Sequence, residues 1–471
     1  MFAVNNINTI NFGNALNYKF RQADAQHIDS KTSSNNNNQS PIKPKELLNT
    51  TTYPNAIAFT SRQTSLTRIE KAQLHSELGR LEKKSIRFFL DHRLSNGLVL
   101  DRAPNSEIAP TGRSAEMCSV AATGYGLSAL ILASENHMLP KAIAEKKVMQ
   151  TLKFIDKNTP EINGGWLAHF MDGKTGKAYK DTEISSIDTS IFFFNAFASA
   201  EYFGKNVKKQ VTKMYNKIDF KMMLTEDGKK PDQIAFNLGF HVKDGKRTFT
   251  PYKWNEYSEG ILTMLLGLGS NKVPDTVWTK GWDRSKKWEQ NGVKNFVCLP
   301  LFTYFYPHGL VNLGNKVDKM GDNFGKASHN AVKMQLAYCK EHGYPKDVFG
   351  ITACDGPNGY QAYQTAGTEK YPAHDGTISP PAILACLPFA EKEATNAMKY
   401  IRKMGLDKER YGLCCAYNVK TGWKATDALG IDLGSTMLMM DAYKSGLIHK
   451  LVNQNEIVQK ATKRAGFHQA N

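Results

Sequence analysis

"SLTRIEKAQLHSELGRLEKKSIRFFLDHR", residues 65–93, is the stretch on which the fold class turns. Leu66, Ile69, Leu74, Leu78, Leu81, Ile86 and Phe89 recur along it at helical spacing, which gives an α-helix one apolar stripe to bury. The same period continues outward along the chain, at about 114–135, 140–156, 186–203, 205–216, 256–268, 324–342, 378–387, 391–404, 433–446 and 453–464. About eleven or twelve helices are expected, with hardly any alternating pattern that would mark a strand. Between them lie loops dense in Gly, aromatic and acidic residues, such as "NGGWLAHFMDGKTGKAY", "ACDGPNGYQAYQTAG" and "CAYNVKTGWKATDALGIDLG". Alternately short and elaborate connections predict an all-α fold: helix pairs stacked in a ring, an (α/α)6 barrel or toroid with the elaborate loops gathered at one end as a cleft. No strict sequence repeat is present, which disfavours a solenoid. Residues 1–60, rich in Asn, Ser, Gln and Pro as in "KTSSNNNNQSPIKPK", are expected to form a disordered leader, because they hold too little apolar surface to offset chain entropy. Residues 61–471 are then expected to form a single domain.

Composition narrows the functional classes. Of 471 residues, 41% are hydrophobic and 22% charged, the balance of an ordinary globular chain. No apolar stretch approaches the roughly 18–20 residues of a membrane span. A net charge of +17 invites a nucleic-acid reading, yet the excess is mostly Lys in short groups such as "EKK" and "VKKQ". No recognition motif accompanies them, so a solvated basic surface is expected, with no specific nucleic-acid partner and a monomeric chain. The seven cysteines are odd in number, lack CxxC spacing and sit mostly in apolar runs, reading as buried free thiols of a reducing compartment. The opening "MFAVNNINTINFGNALNYKF" lacks the basic start and unbroken apolar centre of a secretory signal, so a cytoplasmic location is the expectation.

Acids and aromatics carry the chemistry. "WNEYSEGILTMLLGLGS", residues 254–270, places Glu256 and Glu259 ahead of a strongly apolar run, and "SSIDTSIFFFNAFASAEYF", residues 185–203, does the same with Asp188. Each acid alone is explained by helix capping, with Ser185 or Ser186 as N-cap and Asp188 in the first turn, or Asn255 ahead of Glu256. Two barrel helices that both open with an acid at one end of a ring would instead line a cleft with carboxylates. Asp432 in "LGIDLGSTML" lies between apolar flanks, while Asp355 and Asp375 each precede a Gly and read equally as turn residues. Trp166, Trp254, Tyr306, Tyr360 and Tyr363 lie in or beside the same loops; flat apolar faces with polar edges suit sugar rings. A carboxylate pair with aromatic platforms is the equipment for breaking a glycosidic bond.

Other chemistries lack their signatures. There is no GxSxG elbow, GxxxxGK[ST] loop, GxGxxG fingerprint or HExxH spacing. No cofactor and no metal are expected, the one alternative being a zinc held by Cys298 or Cys354 with His308 or His374.

The ordered blocks "GLVLDR", "SVAATGYGLSALILASE", "GGWLAHFMDGKTGKAY", "SSIDTSIFFFNAFASAEYF", "WNEYSEGILTMLLGLGS", "LFTYFYPHGLVNL", "FGITACDGPNGYQAY", "DGTISPPAILACLPFAE" and "GIDLGSTMLMMDAY" together resemble the glucoamylase-like family that includes bacterial β-1,2-glucanases. The resemblance runs from about residue 80 to 446. It implies an (α/α)6 barrel and a glycoside hydrolase acting on a β-linked glucan, most closely β-1,2-glucan. Alternatives are a carbohydrate-binding or scaffolding protein with a degenerate site, or a glucan transglycosylase on the same fold. Carried over by motif, Glu256 is the principal catalytic carboxylate and general acid. Its partner is Asp188 or Asp432, with Asp355 third. Burial against Trp254 is expected to keep Glu256 protonated. Asp101, Arg102, His169, Tyr306, His308, Tyr360 and Tyr363 are the expected hydroxyl partners, with Trp166, Trp254 and Asp355 beside them. Where the family block would read "YNEYMLLYLLALGS", Glu259 and Gly260 are departures. The resemblance also implies a periplasmic or extracellular location as the alternative to a cytoplasmic one.

Overall fold

The computed structural model describes residues 66–230, 234–296, 300–365 and 374–470; the leader expected over residues 1–60 and Cys298 lie outside these. Two kinds of helix alternate along most of the chain. Val120–Glu135, Ser186–Phe203, Ile261–Leu268, Tyr306–Leu310, Pro380–Ala385 and Gly430–Lys444 are buried on nearly every side. In the first of them only Ser134 and Glu135 escape full burial. Arg68–Asp91, Lys141–Asn158, Lys205–Asn216, Phe324–Glu341, Glu391–Lys403 and Glu456–Ala465 instead bury one stripe, as Ala394, Ala397, Met398 and Ile401 do in the fifth. A helix apolar all round must be enclosed by others, and one with a single stripe must face water on its other side. The alternation is therefore that of a double-layered ring, the (α/α)6 barrel expected from the sequence. Within the inner layer the Val120 helix packs on the Ser186 and Gly430 helices. The Gly430 helix also meets the Pro380 and Tyr306 helices, and the Ser186 helix meets the Ile261 helix.

Several boundaries differ from expectation. The inner helix Tyr306–Leu310 falls in a segment that reads as loop, because five residues including Pro307 and Gly309 are too few to show a period. The helix expected from residue 256 begins only at Ile261, and Glu256–Gly260 are bends and a turn. Ile69, on the expected apolar stripe of the first helix, is 71% exposed.

Short strands, which alternation could not reveal at two to five residues, organise the loop end. Met117–Ser119, Ile184–Ser185, Thr377–Ile378 and Asp427–Leu429 each run into the start of an inner helix. Their antiparallel partners come from other loops: Ser119 faces Phe170, Ile184 faces Phe240, Ile378 faces Tyr417 and Leu429 faces Arg102. At three of these junctions a serine side chain accepts a backbone N–H of the first helical turn: Ser119 from Ala122, Ser185 from Asp188 and Ser379 from Ala382. The loops are thus stitched to the N-terminal ends of the inner helices, where unpaired N–H groups and the helix dipole favour negative charge.

Candidate active site

Asp188 and Asp432 are each the third residue of an inner helix. Asp188 is held closely: its backbone N–H reaches Ser185 Oγ at 3.3 Å, and the Ser185 hydroxyl donates to Oδ2 at 2.5 Å. His169 bridges it to a second buried acid, with Nδ1 3.1 Å from Glu183 Oε1 and Nε2 3.7 Å from Asp188 Oδ1. The His169 ring is stacked on Phe170 at 3.8 Å. Asp432 is buried, and among the described residues its Oδ2 has no hydrogen-bond partner. Burial first, then the charge of Asp355, pushes this carboxyl well above the ordinary carboxylate range. Arg102 opposes the shift and Asp101 adds to it.

The Asp427–Leu429 strand brings Arg102 into this corner. The guanidinium bonds both Asp355 oxygens at 3.0 and 3.2 Å and lies 3.4 Å from Asp101 and 3.7 Å from Asp427. Burial works against its charge, but Asp355, Asp101 and Asp427 outweigh that and hold Arg102 above its ordinary value. Asp355 is therefore engaged by Arg102 in a structural hub.

Two phenols join the acids. The Tyr125 ring rests on the backbone of Gly434, where an added Cβ would lie 2.3 Å from the ring, so only glycine allows the approach. Burial, then the charges of Asp188 and Asp432, raise the Tyr125 phenol. Burial raises the Tyr306 phenol well above its ordinary value, with Asp432, Tyr360, Tyr125 and Glu259 contributing in that order. Asp188, Tyr125, Asp432, Tyr306 and Glu259 form a succession of neighbours in or just before five inner helices.

Glu256 joins the same end by a different route. The Trp254 indole donates to Ser186 Oγ at 2.8 Å, tying this segment to the first turn that carries Asp188. The same ring covers Gly260, where a Cβ would meet it at 2.5 Å. Glu256 is 6% exposed, and its Oε1 forms an ion pair with Lys286, which precedes the Lys287–Gln290 and Val293–Phe296 hairpin. Burial and the charge of Asp355 favour a neutral carboxyl at Asp432. The Lys286 ammonium supplies Glu256 with a countercharge that a reading of its flanking aromatics could not foresee.

Other expected site residues lie elsewhere. Trp166 has no exposed face: its indole donates to Asp219 O at 2.9 Å and packs edge-on against Phe220. His308 is 1% exposed and bonded to Ser328 Oγ at 2.9 Å. Burial, with His449 beside it, lowers it to about 3, so it remains neutral inside the ring. Trp254 is buried as a clamp and offers no open platform. Tyr363 donates to Asp375 Oδ2 at 2.9 Å, while Asp375 Oδ1 accepts from Thr377 N, so Asp375 acts as a turn residue. Tyr360 is half-buried beside Asp355, across the Ala353–Gly356 and Gly359–Ala362 hairpin. Sequence reasoning passed over Tyr125, Glu183, Asp427 and Lys286. A tyrosine amid small residues in "AATGYGLSA" was the one local signal among them. The cysteines described (118, 339, 354, 386, 414 and 415) are buried free thiols. Among the described residues no three His, Cys, Asp or Glu are placed to hold a metal ion, and no helix is long and apolar enough to cross a membrane.

With this geometry in place, comparison with known proteins is informative. Residues 251–456 match the Glycoamylase family model. An exo β-1,2-glucooligosaccharide sophorohydrolase of Parabacteroides distasonis is 23% identical over 415 residues, 77% of this chain and 55% of that protein. The chain thus spans about half the length of that curated relative. The endo-β-1,2-glucanase of Chitinophaga pinensis, solved with sophorotriose and glucose, superposes with a TM-score of 0.73 at 21% identity, covering 84% of this chain and 98% of that one. A β-1,2-glucanase of Parabacteroides distasonis superposes at 0.72 and 20% identity, covering 83% and 59%. These superpositions establish the barrel. Residues 251–456 are thus similar to the glucoamylase-like family, and the superpositions show the shared fold over most of the chain.

Proposed function

We propose that this protein is a glycoside hydrolase acting on a β-linked glucan, most closely β-1,2-glucan, with Glu256 and Asp432 as the reacting carboxylates. The observation that carries the reading is the difference between the two acids at one end of the barrel. Asp432 is held toward its neutral form by burial and by Asp355, and Glu256 faces a lysine. Glycoside hydrolysis needs one carboxyl that gives a proton to the leaving oxygen and one carboxylate that activates water or attacks the anomeric carbon. Burial that holds one carboxyl toward its neutral form is how a site keeps a proton to give. Asp188, fixed by Ser185 and tied through His169 to Glu183, supports substrate hydroxyls beside Tyr125. The activities named for the Parabacteroides and Chitinophaga proteins support the choice of linkage.

Incubation of the chain with β-1,2-, β-1,3- and β-1,4-glucans, followed by product chromatography, tests the reading; release of oligosaccharides from β-1,2-glucan is the expected result. Roles are separated with an aryl β-glucoside of matching linkage whose phenol is a good leaving group. Such a substrate needs no proton, so whichever of Glu256→Gln and Asp432→Asn lacks the acid regains activity on it. Absence of turnover on every glucan would remove the hydrolase reading.

A further inference from the structure

The fold brings together two lysine-rich segments that are well separated in the chain. The outer helices Lys141–Asn158 and Lys205–Asn216 pack side by side. The first carries five lysines against Glu145 and Asp156, and the second four lysines and no acid, a net charge of +7 between them. Each of the other four one-striped helices carries only +2. The lysines also stand in rows. Lys205, Lys209, Lys213 and Lys217 follow one another at four-residue spacing along the second helix and its C-cap, and Lys146, Lys153 and Lys157 line the water-facing side of the first; all seven are exposed. We propose that this face docks the protein on an anionic lipid surface, its ammonium groups meeting the negative headgroups.

Like charges at i, i+4 repel across one helical turn and cost stability, so the row from Lys205 to Lys217 is a cost that an anionic partner offsets. Counterions within the face are few. Lys213 and Lys217 share the carboxylate of Asp156, and Lys208 is engaged by Glu201 and Glu456. The longer row runs for about 18 Å, and neighbouring helix axes lie about 8–10 Å apart, so the rows make a broad patch on the outer wall of the ring. Side-chain chemistry favours lipid over nucleic acid. Neither helix contains an arginine, whose planar fork reads phosphates and base edges. Their two aromatics, Phe154 and Tyr215, pack against the core, so neither offers a ring for base stacking. Lysine ammonium groups are compact point charges suited to a diffuse field of headgroups, in which each adds to the attraction. Ile143, 44% exposed, heads the first row ahead of Lys146, where an apolar side chain can enter the headgroup layer.

The test sediments the full chain with vesicles of phosphatidylcholine, alone or with about 30% phosphatidylglycerol. Only the anionic vesicles should carry the protein down, and less of it as added salt shortens the screening length. Lys153→Glu, Lys205→Glu and Lys209→Glu together should weaken vesicle binding about a hundredfold, with thermal melting unchanged or raised because the lysine row is relieved. Should that variant fail to fold, Lys153→Gln, Lys205→Gln and Lys209→Gln together give the same readout with a loss of about tenfold. The same reversal at the exposed Lys326, Lys333 and Lys399 of two other outer helices should cost less than about threefold, since it changes net charge but not this face. Equal losses in the two reversed variants, or no binding of wild-type protein to anionic vesicles at low salt, overturn the proposal. Tighter binding to duplex DNA than to anionic vesicles at the same salt also overturns it, assigning the face to nucleic acid instead.

Discussion

The start of the Gly430 helix and the approach to the Ile261 helix each deliver an acid to the same end of the barrel, by opposite means. Asp432 is inside regular helix, so backbone geometry alone aims it, and burial beside Asp355 sets its protonation. Glu256 lies in an irregular segment ahead of its helix, so it needs side-chain clamps: Trp254 to Ser186 for position and Lys286 for charge. A carboxyl on a helix start is placed cheaply but is hard to ionise when enclosed. A carboxylate in an irregular segment is easily given a counterion but depends on distant residues for its position.

The largest expected effect breaks both sides at once. Glu256→Gln and Asp432→Asn should each lower kcat on β-1,2-glucan by about 10²–10⁴-fold, with oligosaccharide binding retained in calorimetric titration. Near-wild-type turnover in either removes that residue from the pair. A second measurement sharpens the contrast through stability. Because the folded chain holds the Asp432 proton more tightly than the unfolded chain, this residue costs nothing below the ordinary carboxylate range. It becomes destabilising as pH rises above that range, until its raised value is passed. Asp432→Asn should therefore melt at or above the wild-type temperature near neutral pH, with the difference shrinking on acidification; a variant less stable at neutral pH than in acid, relative to wild type, would contradict the environment described. Ser185→Ala should cost about 1 kcal/mol in chemical denaturation through the lost cap and should lower activity by freeing Asp188. The smallest effect belongs to the outer layer: Ile69→Ser, at a position 71% exposed, should stay within about 0.5 kcal/mol of wild type.

Helix segments were legible where their period ran long. Ser186–Phe203 and Lys205–Asn216 lie where the pattern placed them, and Phe324–Glu341 and Glu391–Lys403 end within a residue of it. Tyr306–Leu310 and the short strands were not, since two to five residues carry no readable period. The acids Asp188, Glu256 and Asp432 stood out by their place before apolar runs. Trp166 and His308 were misplaced because a glycine-rich neighbourhood reads the same whether its aromatics fold inward or line a cleft. Lys286 and Asp427 were illegible as site residues, because their roles come from Glu256 and Arg102, 30 and more than 300 positions away.

By itself the sequence determined the class of fold, most of the long helices and the acids that precede apolar runs, because these follow from local periodicity and capping chemistry. Tertiary structure alone decided which buried acid lies near another carboxylate and which is paired with a lysine. Protonation depends on burial and on charges within a few ångströms, and those neighbours are set by how distant loops pair at the barrel's end rather than by residues adjacent in the chain.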